Sequence, residues 1–488
     1  MKSMKYHLST SPARPGCANG SPAVRFVSLL TFALAAVLPL AEAAAPLQTV
    51  SVNSVTYIVS PATIIPRTTE YTLSGATVGL NGVTKVRVLV PTGYATGSNY
   101  PVVYLLHGFT GGEGTWSNMN AANNINDTLE TNTRSANIVF VMPDGDNDFY
   151  SNWYQNFDGL MHDWETYHIE QLIPWVEANF KVKTTRAGRA VSGVSMGGFG
   201  CTTYATRHPD LFAGVFSYSG AVSNIALAPV SVLPDDLLEN FFDLGGLAAI
   251  NPDNIWGPYG SQEVRWRGRN PVDLADNLRP LTVWFRTGHG LPGPGVDDEQ
   301  ADPLEVFIGL LNNRLKNKLN DLEIPHTYIQ DPTAGHTGLH FMASFKQALP
   351  VMQQTFAGNV PVRPNSFNYR AIEPSFSVFD WQFSVTRDVI EFLYLSDVSR
   401  GGLKLKGSGT VAITTPPVYT PGSHHWVLAP GQLGIDIWPN WPKADAEGRL
   451  HFNVKLGNSH TLQQYTAAQR LVEAAALDYW KDANVQIW

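Results

Sequence analysis

The chain has 488 residues and a formal net charge of −8, from 33 basic and 41 acidic side chains. It contains no basic tract, which argues against nucleic acid or an anionic membrane surface as a partner. Apolar residues make up 44% of the chain and charged residues 15%, as in ordered globular proteins, and the length exceeds that at which one hydrophobic core keeps growing, so we expect two domains.

The N-terminal residues have the pattern of an export signal. Basic side chains precede the apolar run 26–40, and small residues follow it at positions that suit cleavage. The run is short for a membrane span, and no other stretch is long and apolar enough to be one. We therefore expect residues 1–45 to be a signal peptide that is removed near Ala43 to Ala45, so that the mature protein is secreted or periplasmic. Only Cys201 remains after cleavage, which excludes an internal disulfide.

Strands and helices alternate over residues 46–357, which we predict to be the first domain. β-Branched residues recur up to Pro91, as in the first strands of a sheet. Continuous apolar runs, typical of strands buried on both faces of a parallel sheet, lie at 100–106, 138–142, 214–219 and 281–286. The segment 164–180 has apolar residues at helical spacing. This alternation predicts an α/β fold with a doubly wound, mainly parallel sheet and a site beyond the carboxyl ends of its strands.

The composition changes after residue 357. Residues 358–366 form a predicted linker, and residues 367–488 a β-rich, sandwich-like domain with one helix at 467–479. Its alternating stretches predict short strands at 376–385, 390–395, 403–406, 410–414, 433–438 and 450–454. Its tryptophans leave two alternatives open, since they could contact a polymer or wall glycan or could pack in the sandwich core. They include Trp426, Trp438 and Trp441.

A Gly-x-Ser-x-Gly turn at Gly193–Gly197 joins a short apolar run to a predicted helix at 201–208. Strand, sharp turn and helix in this order are typical of a nucleophile elbow, in which the serine hydroxyl is exposed at the helix N-terminus. Ser195 is therefore the candidate nucleophile.

An activated serine needs a base, and in folds with this elbow the acid and the base both follow the serine in the chain. His336 lies in a loop after a predicted strand at 326–330, from which a side chain can reach the elbow. It is our candidate base. His289 and His340 are the alternatives, while His208 fits the last turn of the elbow helix.

The residues alone leave the acid open. Acidic side chains between the strand ending near Thr287 and His336 include Asp297, Asp298, Glu299, Asp302 and Glu305. Asp302 and Glu305 also fit a capping box that opens a helix, with Pro303 at the first helical position. Asp297 and Asp298 follow a loop rich in glycine and proline and could be solvated.

Two backbone N–H groups are candidates for the oxyanion hole. One belongs to Met196, directly after the nucleophile, and the other should follow an earlier strand. We assign the second to Phe109, because Gly108 lets the backbone approach. His107 precedes the serine, an order that this fold does not use for its base.

Six motifs in this order resemble the esterase family that includes the antigen 85 mycolyltransferases, S-formylglutathione hydrolase and feruloyl esterases. They are Leu105–Gly108, Phe149–Gln155, Trp164–Tyr167, Gly193–Gly197, Ile255–Pro258 and Gly335–His336. The resemblance covers about residues 75–350 and implies an α/β-hydrolase fold, a triad of Ser, acid and His, and a covalent acyl-enzyme. Within these motifs, His107, Trp153 and Trp256 are candidates for substrate contact.

In the antigen 85 members the acid is a glutamate on the helix after the late strand, and its distance from the histidine matches that between Glu305 and His336. The resemblance thus favours Glu305, with Asp297 or Asp298 as alternatives. The same members carry aspartate at the position of His107 and use it toward trehalose, and they have an aromatic pattern where this chain has 337–339.

We therefore predict a secreted serine esterase acting on a small-molecule or polymeric ester. Acyl transfer to a sugar or alcohol is the first alternative, and a surface-binding protein with a vestigial site is the second. The predicted chemistry requires neither a metal nor a cofactor.

Overall fold

The computed structural model describes residues 51–52, 55–56, 58–119, 127–156, 159–227, 251–291, 302–457, 460–474 and 480–488. The predicted signal peptide, Asp297 and Asp298 lie outside these ranges. Among the helices that the structure describes, none has both the length and the apolar character needed to cross a bilayer.

The first part of the chain is built on a nine-stranded sheet. Its strands and the short strands beside it are β1 (Ser51–Val52), β2 (Val55–Thr56), β3 (Ile58–Ile65), β4 (Thr68–Ser74), β5 (Val78–Gly79), β6 (Val83–Leu89), β7 (Val102–Leu106), β8 (Val139–Pro143), β9 (Met161–His162), β10 (Arg189–Val194), β11 (Gly214–Tyr218), β12 (Thr282–Gly288) and β13 (Thr327–Asp331). The sheet order is β13-β12-β11-β10-β7-β8-β6-β4-β3. The six strands from β13 to β8 are parallel, and β6, β4 and β3 run antiparallel to their neighbours.

Helices cover both faces of this sheet. They are α1 (Thr115–Asn118), α2 (Leu129–Asn132), α3 (Trp164–Thr166), α4 (Ile173–Asn179), α5 (Met196–Arg207), α6 (Pro252–Trp256), α7 (Tyr259–Arg267), α8 (Pro303–Asp321) and α9 (Gly338–Ala357), with a π-helical segment at Tyr167–Leu172 and 3₁₀ turns at Leu80–Gly82, Arg186–Gly188, Asn224–Leu227 and Ala275–Leu278. Alternate residues of β7 point to opposite faces: Val103 and Leu105 pack with α1, α2 and α9, whereas Tyr104 and Leu106 pack with α3, α4, α5 and α8. The predicted doubly wound α/β-hydrolase sheet is thus confirmed.

Two helix predictions need refinement. The segment predicted as one helix at 164–180 is helical from Trp164 to Asn179, with the π-helical segment in its middle. The elbow helix begins at Met196 rather than at residue 201, because its first turn is made of the glycines that the elbow requires.

The C-terminal part forms two antiparallel sheets that share one core. Its elements are β14 (Phe367–Ala371), β15 (Ser375–Val378), β16 (Trp381–Thr386), β17 (Leu393–Ser399), β18 (Gly402–Gly407), β19 (Thr410–Thr414), β20 (Val427–Leu428), β21 (Asp436–Trp438), β22 (His451–Lys455), α10 (Ala467–Ala474) and β23 (Lys481–Ile487). The sheet orders are β14-β17-β18-β23-β20 and β15-β16-β19-β22-β21. Leu405 and Val485 of the first sheet pack in one cluster with Phe383 and Val454 of the second. The predicted sandwich-like architecture is confirmed.

The prediction of one strand at 376–385 was wrong. Val378 pairs with Trp381 across a two-residue turn, and both turn residues, Phe379 and Asp380, have positive φ angles. This is the geometry of a tight hairpin that matches the strand twist. The sequence analysis also missed β14, β20 and β23, although β14 and β23 alternate polar and apolar residues; β20 has only two residues.

The sandwich contacts the end of α5 through a buried ion pair network. The Arg207 guanidinium donates to Glu165 at 2.6 Å and to Glu373, which precedes β15, at 2.8 Å. Beside it, Ile372 packs with Val264 and other apolar side chains from both parts of the chain. The two parts therefore share a buried contact in addition to the chain connection.

We expect Glu373→Gln to lower the free energy of unfolding by about 2 kcal/mol, because a partly buried guanidinium loses one charged acceptor. The effect should stay moderate, since the Glu373 side chain keeps 27% of its surface exposed. Lys404→Gln, which breaks the exposed pair with Asp397, is the control and should cost less than about 0.5 kcal/mol. Urea unfolding of the full-length variants measures both values, and equal effects would contradict a structural role for the Arg207 network.

Candidate active site

Ser195 lies at the sharp turn between β10 and α5. Its backbone angles, φ 56° and ψ −118°, are strained for a residue with a side chain. The flanking glycines allow the turn: a Cβ at Gly193 would overlap the backbone of Gly197, and a Cβ at Gly197 would overlap the carbonyl oxygen of Leu106. The elbow therefore depends on backbone segments that approach too closely for any side chain.

Ser195, His336 and Glu305 form a continuous chain of hydrogen bonds. The Oγ of Ser195 lies 2.9 Å from Nε2 of His336, and Nδ1 of His336 lies 2.6 Å from Oε2 of Glu305. The three residues are contributed by the elbow, the loop after β13 and the first turn of α8. The structure thus brings together the three side chains that the sequence analysis favoured.

The ionisation state of Glu305 determines which atom donates and which accepts in each of these hydrogen bonds. The side chain has no exposed surface; burial would raise its pKa, but hydrogen bonds from His336, Ser219 and the Gly288 N–H outweigh this and lower it. Glu305 is therefore ionised near neutral pH and can only accept. Nδ1 of His336 must carry the proton that lies between them, which leaves Nε2 free to accept the hydroxyl proton of Ser195.

Asp302, the competing carboxylate of the predicted capping box, has a different position. Its Oδ1 accepts from the N–H of Glu305 at 3.1 Å and caps α8. Its Oδ2 accepts from the backbone N–H of His336 at 2.5 Å. Only half of the predicted capping box forms, because the Glu305 side chain turns to His336 instead. Asp302 ties the histidine loop to α8 and makes no contact with the imidazole ring that the structure records.

Ser219 bonds to Glu305, and the sequence analysis did not predict it as a residue of this site. It follows β11, and its hydroxyl donates to Oε1 of Glu305 at 2.7 Å; the Gly288 N–H at the end of β12 donates to the same oxygen. The sequence did carry one indication of this role. Ser219 directly follows a buried strand, and the carboxyl ends of neighbouring parallel strands lie at the same edge of the sheet as the elbow.

Phe109 and Met196, the two candidates for the oxyanion hole, follow directly after Gly108 and Ser195 in the chain. Met196 is the first residue of α5, where N–H groups have no intrahelical acceptor. Gly108 lies against Ser195, because a Cβ there would be 3.2 Å from Cβ of Ser195. Within the described part of the chain, neither the Phe109 nor the Met196 N–H has a recorded acceptor.

His107 and Trp256 do not reach the surface. Both side chains are fully buried, and the two ring nitrogens of His107 bond to the carbonyl oxygen of Gly108 at 2.8 Å and to the N–H of Gly145 at 2.9 Å. These positions contradict the prediction that the two residues contact substrate. Trp153 is half-buried, with its ring stacked 3.9 Å from that of His162, and remains a candidate.

The alternative histidines lie elsewhere. His208 bonds to Glu165 at 2.8 Å at the end of α5, and His289 follows β12 without a recorded bond to Ser195. His340, in the first turn of α9, is buried, and its ring nitrogens have no partner among the described residues. Across those same ranges, no group of His, Cys, Asp and Glu side chains could hold a metal ion.

Comparison with known proteins gives one matching family model and several similar proteins. One family model, described as a putative esterase, matches residues 77–356. The chain is 33% identical over 273 residues to Esterase Rv1288 of Mycobacterium tuberculosis, which covers 56% of each chain, so it matches only about half of that relative's length. It is 30% identical over 241 residues to the diacylglycerol acyltransferase/mycolyltransferase Ag85A of the same organism, which covers 46% of this chain and 64% of the relative.

Among solved structures, a ferulic acid esterase is 22% identical with a TM-score of 0.42, covering 59% of this chain and 98% of its own. An S-formylglutathione hydrolase from Agrobacterium tumefaciens is 16% identical with a TM-score of 0.44, covering 62% and 98%. The family match ends at residue 356, before β14.

We expect His340→Leu to gain stability over wild type as the pH falls. Burial lowers the pKa of His340 from 6.5 to about 4, so between these values the unfolded chain binds a proton that the folded chain does not. Wild-type stability therefore falls with decreasing pH by about 2 kcal/mol between pH 6.5 and 5 through this group, and leucine removes that loss. Urea unfolding at pH 7 and pH 5 measures the difference, and a pH-independent difference would contradict the assignment.

Proposed function

The chain belongs to the putative esterase family, and on that premise we propose that it hydrolyses carboxylic esters with Ser195 as the nucleophile. The observation that carries the proposal is the hydrogen-bond chain from Ser195 through His336 to the buried, ionised Glu305. A serine, a neutral imidazole and an orienting carboxylate in this order are the parts that acyl transfer through a covalent intermediate requires.

In the proposed mechanism His336 takes the hydroxyl proton as Ser195 attacks the ester carbonyl carbon. The N–H groups of Phe109 and Met196 donate to the oxyanion of the tetrahedral intermediate, at the positive end of the α5 dipole. The protonated His336 then gives its proton to the leaving alcohol. This step leaves the acyl group on Ser195 Oγ. His336 next takes a proton from water as that water attacks the acyl carbon, and the bond to Oγ then breaks, releasing the carboxylic acid product while His336 returns the proton to Ser195. Glu305 stays ionised and stabilises the imidazolium that forms in each step.

We also propose how the chain is divided into domains. Residues 46–357 are the esterase domain, 358–366 the linker and 367–488 the second domain, and residues 1–45 are removed on export. The change from a parallel to two antiparallel sheets after α9 supports the boundary. The N-terminal residue of protein recovered outside the cytoplasm tests the export proposal, which requires a start near Ala44 to Pro46.

The proposed nucleophile is tested by a serine-directed phosphonate. We expect the reagent to attach to Ser195, and Ser195→Ala to lose about 10⁴-fold or more in kcat on p-nitrophenyl acetate, because the triad acts as a unit. Mass spectrometry locates the label, and circular dichroism checks that the variant is folded. Unchanged turnover in a folded variant would contradict Ser195 as the nucleophile, whereas a wild type that neither turns over the ester nor takes the label would favour a binding protein whose site is vestigial.

The proposed acid is tested with two isosteric changes. Glu305→Gln removes the charge that orients His336, so we expect a loss of about 10³-fold to 10⁴-fold in kcat. Asp302→Asn keeps a good helix cap and an acceptor for the His336 N–H, so most of the activity should remain. Steady-state kinetics at pH 8 measures both variants, and the reverse ranking would assign the acid to Asp302.

Acyl transfer is the second candidate, favoured by the likeness to the mycolyltransferase. It uses the same residues and differs in whether the site holds an alcohol against the acyl-enzyme. Because His107 is buried and bonded to the backbone, it offers nothing to a sugar acceptor. We therefore expect free acid as the main product when trehalose or glycerol is added at millimolar concentration. Mass spectrometry of the products decides, and mainly acylated acceptor would make the enzyme a transferase.

A further inference from the structure

Exposed tryptophan is concentrated at one end of the sandwich. Of the 13 tryptophans, four are exposed, namely Trp426 at 41%, Trp438 at 45%, Trp441 at 47% and Trp488 at 57%. All four belong to the C-terminal sheets or their loops, and the other nine are buried or half-buried. Large indole surfaces left in water at one place are typical of an interaction site. The alternative that Trp426, Trp438 and Trp441 pack in the core is contradicted by their exposure.

One of these tryptophans, Trp438, lines a cavity between two edge strands. β20 is the outer strand of one sheet and β21 the outer strand of the other. The open cavity between them measures about 420 Å³ and is lined by Leu428, Asp436, Ile437, Trp438 and Asn440, among others.

The neighbouring indoles lie beside this cavity. The N–H of Val427 donates to the carbonyl oxygen of Asn440 at 2.9 Å, which places Trp426 and Trp441 next to each other, with ring centroids 3.9 Å apart. The backbone N–H of Trp488 donates to the carbonyl oxygen of Trp426 at 3.0 Å. Trp426, Trp441 and Trp488 are therefore neighbours, and Asn440, directly before Trp441, lines the cavity.

The lining combines apolar faces with hydrogen-bonding groups. Trp438 and Ile437 supply apolar surface, while Asp436 and Asn440 supply a carboxylate and an amide. The Val427 N–H of β20 is already bonded to the carbonyl oxygen of Asn440, so it is the side chains of the lining that are available to a ligand. A ligand that matches this lining needs apolar C–H faces and many hydroxyl groups on the same small unit, as a sugar ring has.

Other classes of ligand fit less well. The cavity volume is in the range of small-ligand sites, about 300–1,000 Å³, and its openness allows a chain to continue beyond it. β20 and β21 have only two and three residues, too few for an extended peptide to add as a further strand. The carboxylate of Asp436 and the net charge of −8 oppose polyanions, and the polar lining opposes a lipid chain.

We propose that the cavity between β20 and β21, with Trp438 in its wall and with Trp426 and Trp441 close in the chain to the lining residues Leu428 and Asn440, binds an uncharged saccharide chain. This site does not depend on the esterase site, and its occupancy holds the enzyme on a glycan.

Affinity gel electrophoresis of the full-length protein tests the proposal, with arabinoxylan, barley β-glucan or arabinogalactan in the gel. We expect at least one of these neutral polysaccharides to retard the wild type. Trp438→Ala should weaken that binding about tenfold or more, as loss of a central tryptophan contact does, and Asp436→Ala should weaken it as well. Leu310→Ala, which truncates a similarly exposed side chain on α8, is the matched control and should be retarded like wild type.

Hydrolysis of p-nitrophenyl acetate should be unchanged in all three variants, so a failure of this proposal is distinguishable from a failure of the esterase assignment. Retardation by none of the neutral polysaccharides would overturn the proposal. So would retardation that survives both Trp438→Ala and Asp436→Ala, because the site would then lie elsewhere. Binding to heparin or to phosphatidylcholine vesicles without binding to neutral polysaccharide would assign the surface to another class of ligand.

Discussion

A fully buried carboxylate raises the free energy of the folded state unless hydrogen-bond donors stabilise its charge. Glu305 accepts hydrogen bonds from three donors. Ser219 follows β11, Gly288 ends β12, and His336 lies in the loop after β13. One buried charge thus links the carboxyl ends of three neighbouring parallel strands to the start of α8. Because the charged form is the one that is stabilised, the same contacts that hold these strands in place also fix the tautomer of His336.

How far the sequence predicts the site depends on whether each constraint is local. The elbow around Ser195 is local, since its glycines and the following helix are adjacent in the chain, and it could be predicted. The acid could not be assigned from the residues, because Asp302 and Glu305 have the spacing of a capping box whether or not Glu305 turns to His336. The donors that decide, Ser219 and Gly288, come from distant strands, so only the resemblance favoured Glu305.

The C-terminal sheets reveal a second limit. The alternation between 376 and 385 shifts by one residue at the turn, where Val378 and Phe379 are both apolar, and the prediction of one strand overlooked this shift although the chain reverses there. Alternation also does not tell which face is covered: Trp381 is buried in the core, whereas Trp438 is exposed on an edge strand. Edge positions follow from the order of strands in a sheet, which depends on long-range pairing.

The helix that begins after Ser195 ends at Arg207, whose guanidinium lies between Glu165 and Glu373. The elbow helix is therefore anchored at its far end by a residue of the C-terminal region. Such an arrangement limits domain exchange: a chimaera that joins this sandwich to another esterase would have to carry a matching arginine at the end of the elbow helix. Without that arginine, Glu373 would lose its cationic partner. The contact between the two parts of the chimaera would then be less stable than the one in this chain.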